Sequence, residues 1–147
     1  MKRTIIAAFI FAIGIVGPVA YFLSDRRLPY EYLFGEVLPP MPAVGGQISI
    51  HWRVKINRYC PGWVQRTIID EHGYRWYNIG GPVKNIMPVK RGDEADVVNT
   101  LELPRMLSAG PATYLAHVTY HCNWLQRWFW PITVDTPALQ FTIKADR

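Results

Sequence analysis

The longest apolar stretch of the chain lies close to its start. Twenty uncharged residues, 4–23, are flanked by Lys2–Arg3 on one side and by Arg26–Arg27 on the other. A helix needs about 20 apolar residues to cross a hydrocarbon layer roughly 30 Å thick. The sequence therefore predicts that residues 1–23 form a signal anchor, a single transmembrane helix that contacts the lipid bilayer through residues 4–23.

A cleaved signal peptide is the alternative interpretation of this segment. The apolar part of a signal peptide usually spans about 7–15 residues and ends in a small-x-small cleavage site. Here the apolar run is longer, and cleavage after Ala20 would put Pro18 at the −3 position. We therefore expect the segment to be retained as an anchor.

The charges around the apolar run bear on its orientation. Lys and Arg residues near the ends of a transmembrane helix set its topology, and here two precede the run and two follow it. The free amino terminus and Asp25 favour a cytoplasmic N-terminus. The sequence thus predicts a single-pass membrane protein whose remaining residues are extracytoplasmic, either periplasmic or extracellular.

The net charge of the chain argues against a nucleic-acid partner. The formal charge is +5 overall, but residues 28–147 carry 12 Lys and Arg residues against 10 Asp and Glu residues. The excess of positive charge therefore lies mainly beside the apolar run. No basic cluster of the kind that follows a phosphate backbone is present further along the chain, so we expect no nucleic-acid binding.

The chain contains two cysteines, Cys60 and Cys122. An even number of cysteines in a segment predicted to be exported indicates a disulfide, because oxidising compartments form and keep such bonds. Two buried thiols in a cytosolic domain are the alternative. A metal site has less support, since neither cysteine belongs to a C-x-x-C pair.

Alternating apolar and polar residues predict an all-β domain at residues 35–147, after a tether at residues 24–34. The clearest strand is 47–57, in which every second residue from Ile48 to Ile56 is apolar. Seven or eight short strands separated by turn signals, with no convincing soluble helix, indicate a β-sandwich. The predicted strands are 35–44, 47–57, 63–70, 74–79, 97–103, 113–122, 132–135 and 139–144, with a further short strand near 86–89.

The domain resembles immunoglobulin-like and fibronectin-III-like sandwiches over about residues 35–145. The resemblance rests on Tyr120-x-Cys122 late in the chain, on Trp76 between the two cysteines, and on the segment Leu107…Gly110-Pro111…Tyr114 that enters a strand. It implies an immunoglobulin-like sandwich of about seven strands. Strand 47–57 would then correspond to strand B, and strand 113–122 to strand F.

The same resemblance implies where the cysteines meet. In that topology the B–C and F–G loops emerge at one end of the sandwich. Cys60 follows the B-like strand and Cys122 ends the F-like strand. Both cysteines would therefore arrive at the same end, within reach of a disulfide.

Aromatic residues are concentrated around the two cysteines and form the candidate interaction site. Trp, Tyr and Arg dominate binding hot spots. Filling of the sandwich core is the alternative role for each of these side chains. Four aromatics within seven residues cannot all point inward on one strand, so we expect some of them to be exposed. We call this set the aromatic tip; it comprises Tyr59, Trp63, Trp124, Arg127, Trp128, Phe129 and Trp130.

No arrangement in the sequence favours catalysis or a cofactor. The Asp70–Glu71–His72 run lies at a predicted tight turn, where such residues are common for backbone reasons. His117 and His121 are four residues apart on a predicted strand, about 13 Å, which is too far to share a metal ion. We therefore expect a protein that is not an enzyme and that holds no metal or other cofactor.

The expected function is that of a membrane-anchored extracytoplasmic binding or scaffolding module. Its aromatic tip would contact either the membrane surface, where Trp and Tyr are favoured, or a protein partner of unknown identity. A phage- or virus-encoded membrane or structural component is the alternative. A small envelope enzyme or a metal chaperone has less support from the sequence.

Overall fold

Eight strands form two antiparallel β-sheets in the computed structural model of the chain, which describes residues 11, 14–22, 24–83 and 90–145. A helical segment, α1, covers residues 14–22. The remaining elements, in chain order, are β1 (Tyr30–Leu38), β2 (Gln47–Ile56), β3 (Gly62–Ile69), β4 (Arg75–Pro82), β5 (Glu94–Glu102), β6 (Gly110–Tyr120), α2 (Trp124–Trp128), β7 (Ile132–Asp135) and β8 (Leu139–Ile143).

The two sheets pack face to face as a β-sandwich, which confirms the predicted fold at this level. One sheet has the strand order β1-β2-β5, and the other has the order β4-β3-β6. Strand β6 continues the second sheet by pairing with two short strands: β7 pairs with residues 117–120 and β8 with residues 110–114. Consecutive strands β2 and β3 therefore lie in different sheets, and the loop between them crosses one end of the sandwich.

Strict alternation on β2 and β6 builds the core between the sheets. The even-numbered side chains of β2 from Ile48 to Ile56 are all buried, as their period of two predicts. The facing side chains of β6 from Ala112 to Tyr120 are buried in the same alternating pattern. Close packing also explains one glycine of β1, because a Cβ atom at Gly35 would overlap the ring of Trp52.

The first strand differs from its prediction at both ends. It begins at Tyr30, inside the residues assigned to a tether, because the Tyr30 side chain is only 3% exposed and residue 30 pairs with Ile56. A register shift between Tyr32 and Phe34 interrupts the alternation. The start of the strand therefore shows no alternating pattern in the sequence. The strand ends at Leu38, before the prolines, and lies at the sheet edge as those prolines predict.

Other elements also differ from the prediction: β4 extends to Pro82 instead of residue 79, and β6 begins at Gly110 instead of residue 113. Strand β5 begins at Glu94 instead of residue 97, because its ladder with β2 continues to the pair of Lys55 and Glu94. The segment after Cys122, where no helix was expected, contains the five-residue helix α2. The predicted short strand near 86–89 lies outside the described residues.

Half of the predicted transmembrane helix at residues 4–23 lies outside the described residues, namely residues 4–10, 12, 13 and 23. Its described part is helical over residues 14–22, and the side chains there are mostly exposed. Within the part of the chain that the structure covers, no helix has both the length and the apolar character needed to span a bilayer.

Candidate functional site

A disulfide joins the two loops at one end of the sandwich. Cys60 lies between β2 and β3, Cys122 follows β6, and their Cα atoms are 4.7 Å apart. This confirms the predicted bridge and removes the alternative of two buried thiols. Cys60 is only 1% exposed, so the bridge belongs to the core at this end. The residues of the aromatic tip lie directly beside it along both loops.

Helix α2 follows the disulfide in the sequence, and the buried side-chain amide of Gln126 hydrogen-bonds to the backbone of Cys122. Asn123 caps the helix, since its side chain accepts a hydrogen bond from the Gln126 N–H at 2.9 Å. Gln126 is 1% exposed, and its Oε1 accepts a hydrogen bond from the Cys122 N–H at 2.9 Å. A helix of five residues has no stability of its own in water. Its position therefore depends on these contacts and on the buried side chain of Leu125.

The outer side of α2 and the residues after it expose large aromatic rings. Trp128 and Phe129 are 73% and 75% exposed, and Trp124 and Trp130 are also more than half exposed. This confirms that several aromatics of the tip point away from the core. The guanidinium of Arg127 lies 6.0 Å from the centre of the Trp128 ring, within the range of a cation–π contact.

Two residues of the aromatic tip, Trp63 and Tyr59, are less exposed than the rings on α2 and directly after it. Trp63 lies near the start of β3, with about half of its side chain exposed. Tyr59 is half-buried and packs against the hydrophobic core. Exposed aromatic surface is therefore concentrated at Trp124 and residues 128–130, and Tyr59 contributes mainly to packing.

The segment that follows α1 is fixed to this same end of the domain. The backbone oxygen of Asp25 accepts a hydrogen bond from Gln126 Nε2 at 2.7 Å, and the Asp25 carboxylate pairs with Arg58 in the loop after β2. Arg26 donates through Nη1 to the carbonyl oxygens of Trp130 and Pro131, each at 3.0 Å. Its guanidinium also lies 5.7 Å from the centre of the Trp130 ring.

A second set of hydrogen bonds holds the next residues of the segment. The carbonyl oxygen of Pro29 accepts from the backbone N–H groups of Asn57 and Arg58, at 2.8 and 3.2 Å. The side chain of Asn57 donates to the carbonyl oxygen of Leu28 at 3.2 Å. Residues 24–29 are therefore docked on the domain and do not form the free tether that the sequence predicted.

A concave region between the sheets contains polar groups that the sequence analysis missed. Arg66 of β3 donates through Nη2 to Asn99 Oδ1 of β5 at 3.3 Å, and the hydroxyls of Tyr32 and Tyr120 are 3.2 Å apart. Burial raises the pKa of Tyr114 to about 12, against the opposing effect of the nearby Arg66 charge. Burial also raises the pKa of Tyr32 and that of Tyr120 above the ordinary value of 10. These phenols are therefore neutral at pH 7.

The acidic and imidazole groups considered for catalysis have structural partners. The Asp70 carboxylate accepts hydrogen bonds from the N–H groups of His72, Tyr74 and Ser108, at 3.0, 2.9 and 3.1 Å. Burial acts to raise the pKa of Asp70, but these hydrogen bonds outweigh it and lower the pKa below 3.8. His117 Nδ1 lies 2.7 Å from Asp135 Oδ1 on the exposed surface. In the described part of the chain no three His, Cys, Asp or Glu side chains converge to hold a metal ion.

Comparisons with known proteins identify the fold and no family. No protein-family model matches the chain, and no curated protein matches it. The C-terminal domain of wzt has a similar structure, with a TM-score of 0.54 and 13% sequence identity over 82% of this chain and 77% of that one. At that identity the likeness concerns the sandwich fold alone.

Two further solved structures match the chain with lower TM-scores. One is the Pseudomonas fluorescens alkylpurine DNA glycosylase AlkC bound to DNA containing an abasic site analog, with a TM-score of 0.47, 11% identity and 81% of this chain covered. This chain spans 31% of the AlkC chain. The other is PapD-like domain 7 of human CEP192, with a TM-score of 0.38, 12% identity and coverage of 84% of this chain and 93% of that domain. Neither likeness bears on function.

Proposed function

We propose that the protein is a non-catalytic module of immunoglobulin-like architecture, held outside the cytoplasm by a signal anchor at residues 4–23. Its aromatic tip rests in the headgroup region of the membrane that holds the anchor. One observation carries this proposal. The segment leaving α1 is docked on the end of the sandwich that exposes Trp124 and residues 128–130.

The contacts that hold residues 24–29 on the domain support membrane contact, because they place the aromatic tip close to the predicted anchor. Arg26 lies three residues after the predicted anchor and binds the backbone of Trp130 and Pro131. The exposed aromatic rings therefore lie within a few residues' reach of the point where an anchor would leave the hydrocarbon layer. Trp is enriched at that depth, because its ring is apolar and its N–H still finds hydrogen-bond partners.

The disulfide supports the extracytoplasmic location. Such bonds persist in oxidising compartments and are rare in the cytosol. The Cys60–Cys122 bridge also fixes the two loops that carry the tip. The exposed rings are therefore presented on a rigid base, which lowers the entropy lost when they bind a surface.

A protein partner is the competing role for the tip. Exposed Trp residues beside Arg127 have the composition of a binding hot spot. The proximity of the tip to the predicted anchor favours the lipid surface. The experiment below assigns the tip to one of these two roles.

Depth-dependent fluorescence quenching tests the proposal on the full-length protein in lipid vesicles. Lipids brominated either near the carbonyl region or near the chain ends quench Trp at different depths. We expect stronger quenching by the shallow bromines, and loss of most of that quenching in the variant Trp128→Phe/Trp130→Phe. The matched control is Trp76→Phe, since Trp76 of β4 pairs with Ile68, six residues and about 20 Å along β3 from the strand's start at Gly62 beside the bridge.

The outcome separates the two roles. Shallow quenching that depends on Trp128 and Trp130 supports membrane contact. If the bromolipids quench the double variant and the Trp76→Phe control to the same extent as wild type, the tip does not touch lipid. Its exposed rings would then be assigned to a protein partner.

A further inference from the structure

An open cleft lies between the end of α1 and the turn that precedes β5. Its walls come from residues between 21 and 28, from the loop after β2 and from that turn. The turn is fixed beside β2, because the Gly92 N–H donates to the carbonyl oxygen of Ile56 at 2.6 Å. The cleft offers about 870 Å³ to water, within the range of about 300–1,000 Å³ that ligand sites occupy.

Three arginines meet in this cleft although they are far apart in the sequence. Arg27, Arg58 and Arg91 line it, and Asp25 is the one acidic residue among the described residues of its lining. Three positive charges and one negative charge leave the lining with a net charge of +2. The turn at 90–93 adds one lysine and one aspartate beside the cleft, and their charges cancel.

The one carboxylate of the cleft is already paired. Asp25 forms an ion pair with Arg58, whose guanidinium also donates to the carbonyl oxygen of Arg27. None of the ion pairs among the described residues uses the side chain of Arg27 or that of Arg91. Both of these residues are exposed. Their guanidinium groups can therefore contact a ligand that carries negative charge.

We propose that this cleft binds the phosphodiester headgroup of an anionic phospholipid, with Arg27 and Arg91 in contact with the phosphate. The inference rests on the proposed function, since it needs the anchor at residues 4–23. Ser24 follows that anchor directly and lines the cleft. The headgroups of the surrounding leaflet would thus lie beside the cleft. Basic clusters next to a membrane helix attract anionic lipids in this way.

A lipid headgroup suits the cleft better than a free phosphate compound. Exposed guanidinium groups hold a phosphate weakly in water, because solvent and salt screen their charges. A bilayer holds headgroups beside the anchor at high effective concentration, so weak contacts are sufficient. The net charge of +2 favours a lipid of net charge −1 over a zwitterionic lipid that carries the same phosphate.

Native mass spectrometry of the detergent-solubilised full-length protein tests the proposal, with phosphatidylglycerol and phosphatidylcholine as probes. We expect phosphatidylglycerol to bind at least about tenfold more tightly, since each arginine near an anionic headgroup contributes about fivefold. Glycerol 3-phosphate carries the phosphate without the acyl chains, and we expect an excess of it to leave the lipid bound. Equal affinity for the two lipids would overturn the proposal, and displacement by glycerol 3-phosphate would assign the cleft to a free phosphate compound instead.

Two variants with the same change in charge locate the binding. Arg27→Gln/Arg91→Gln removes both unpaired guanidinium groups from the cleft, so we expect the preference for phosphatidylglycerol to fall by about tenfold or more. The control Arg75→Gln/Arg105→Gln removes two exposed arginines that do not line the cleft, and we expect it to keep the preference. All four arginines are exposed, so we expect both variants to fold. A preference that survives in Arg27→Gln/Arg91→Gln contradicts the assignment.

Quenching by brominated lipids separates this inference from the role proposed for the aromatic tip. We expect Arg27→Gln/Arg91→Gln to keep the shallow quenching in vesicles of phosphatidylcholine, since that contact depends on Trp128 and Trp130. Shallow quenching together with equal affinity for the two lipids would refute the cleft alone. A preference for phosphatidylglycerol that depends on Arg27 and Arg91, without shallow quenching, would support the cleft and refute membrane contact by the tip.

Discussion

The aromatic tip and the cavity between the sheets arrange the same kinds of side chain in opposite ways. At the tip, Trp128 and Phe129 are exposed, and the buried polar group beneath them, Gln126, has hydrogen-bond partners for both its oxygen and its nitrogen. In the cavity the aromatic rings face inward, and the Tyr30 hydroxyl and Nε of Arg66 have no partner among the described residues. The two regions therefore differ in how most of their buried polar atoms are paired, although Nε of Arg58 at the tip end also has no partner among the described residues.

That difference separates buried polar groups that stabilise the fold from buried polar groups that cost it stability. A buried amide whose oxygen and nitrogen are both hydrogen-bonded contributes to stability, and its removal leaves other groups unpaired. A buried hydroxyl or guanidinium nitrogen without a partner costs free energy in the free protein. Gln126 is accordingly expected to stabilise the fold, and the unpaired atoms of Tyr30 and Arg66 are expected to lower its stability.

The largest effect expected at the tip is that of the disulfide. Replacing both cysteines in Cys60→Ala/Cys122→Ala opens a loop of 62 residues, and the chain-entropy model assigns such a bridge about 4 kcal/mol. We expect the urea unfolding free energy of the full-length protein to fall by about that amount. Oxidised wild type measured in the same detergent is the reference. A loss below about 1 kcal/mol would mean that the hydrogen bonds of α2 and residues 24–29 hold this end without the bridge.

A smaller loss is expected from the buried amide of α2. In Gln126→Ala the Cys122 N–H and the Asp25 carbonyl oxygen lose their partners, which costs about 2 kcal/mol of unfolding free energy. Urea unfolding measures this loss, and limited proteolysis reports whether residues 24–29 are released. The control Gln65→Ala alters an exposed glutamine of β3 and is expected to be near neutral. If the two variants had equal unfolding free energies, Gln126 would not be the residue that holds residues 24–29 on the domain.

Much of the sandwich could be predicted because its signals are local. The alternation on β2 identifies buried residues from Ile48 to Ile56 directly. The resemblance to an immunoglobulin-like sandwich also implied that Cys60 and Cys122 meet at one end of the domain, and the structure confirms the bridge. A density of aromatics too high for one inward face also predicts that rings of the tip are exposed, as found for Trp128.

The docking of residues 24–29 could not be predicted, because its contacts join distant parts of the chain. Asp25 and Gln126 are 101 residues apart, and no local pattern links them. Helix α2 is too short to show a helical period, although Asn123 is a recognisable cap residue. Two polar residues of the cavity do stand out in the sequence pattern. Arg66 occupies an apolar position in the alternation of β3, and Asn99 does so in β5.

The third and smallest effect concerns Asp70, a paired polar group at the opposite end of the sandwich from the bridge. Three backbone N–H groups hold its carboxylate, and the pKa of Asp70 is lower in the folded protein than its ordinary value of 3.8. The unfolded chain therefore binds the proton more tightly than the folded one. The stabilisation is complete above the unfolded pKa and is lost as the pH falls from there through the folded pKa.

Asp70→Asn tests this assignment without changing the size of the side chain. An amide presents one NH₂ group to backbone donors, so we expect a lower urea midpoint at pH 7, with a loss smaller than that of Gln126→Ala. The difference from wild type should shrink between pH 5 and pH 3, because protonation removes the advantage of the native carboxylate. A difference that stays constant over this range would mean that the carboxylate charge does not hold the turn. The contrast between paired and unpaired polar groups would then depend on Gln126 alone.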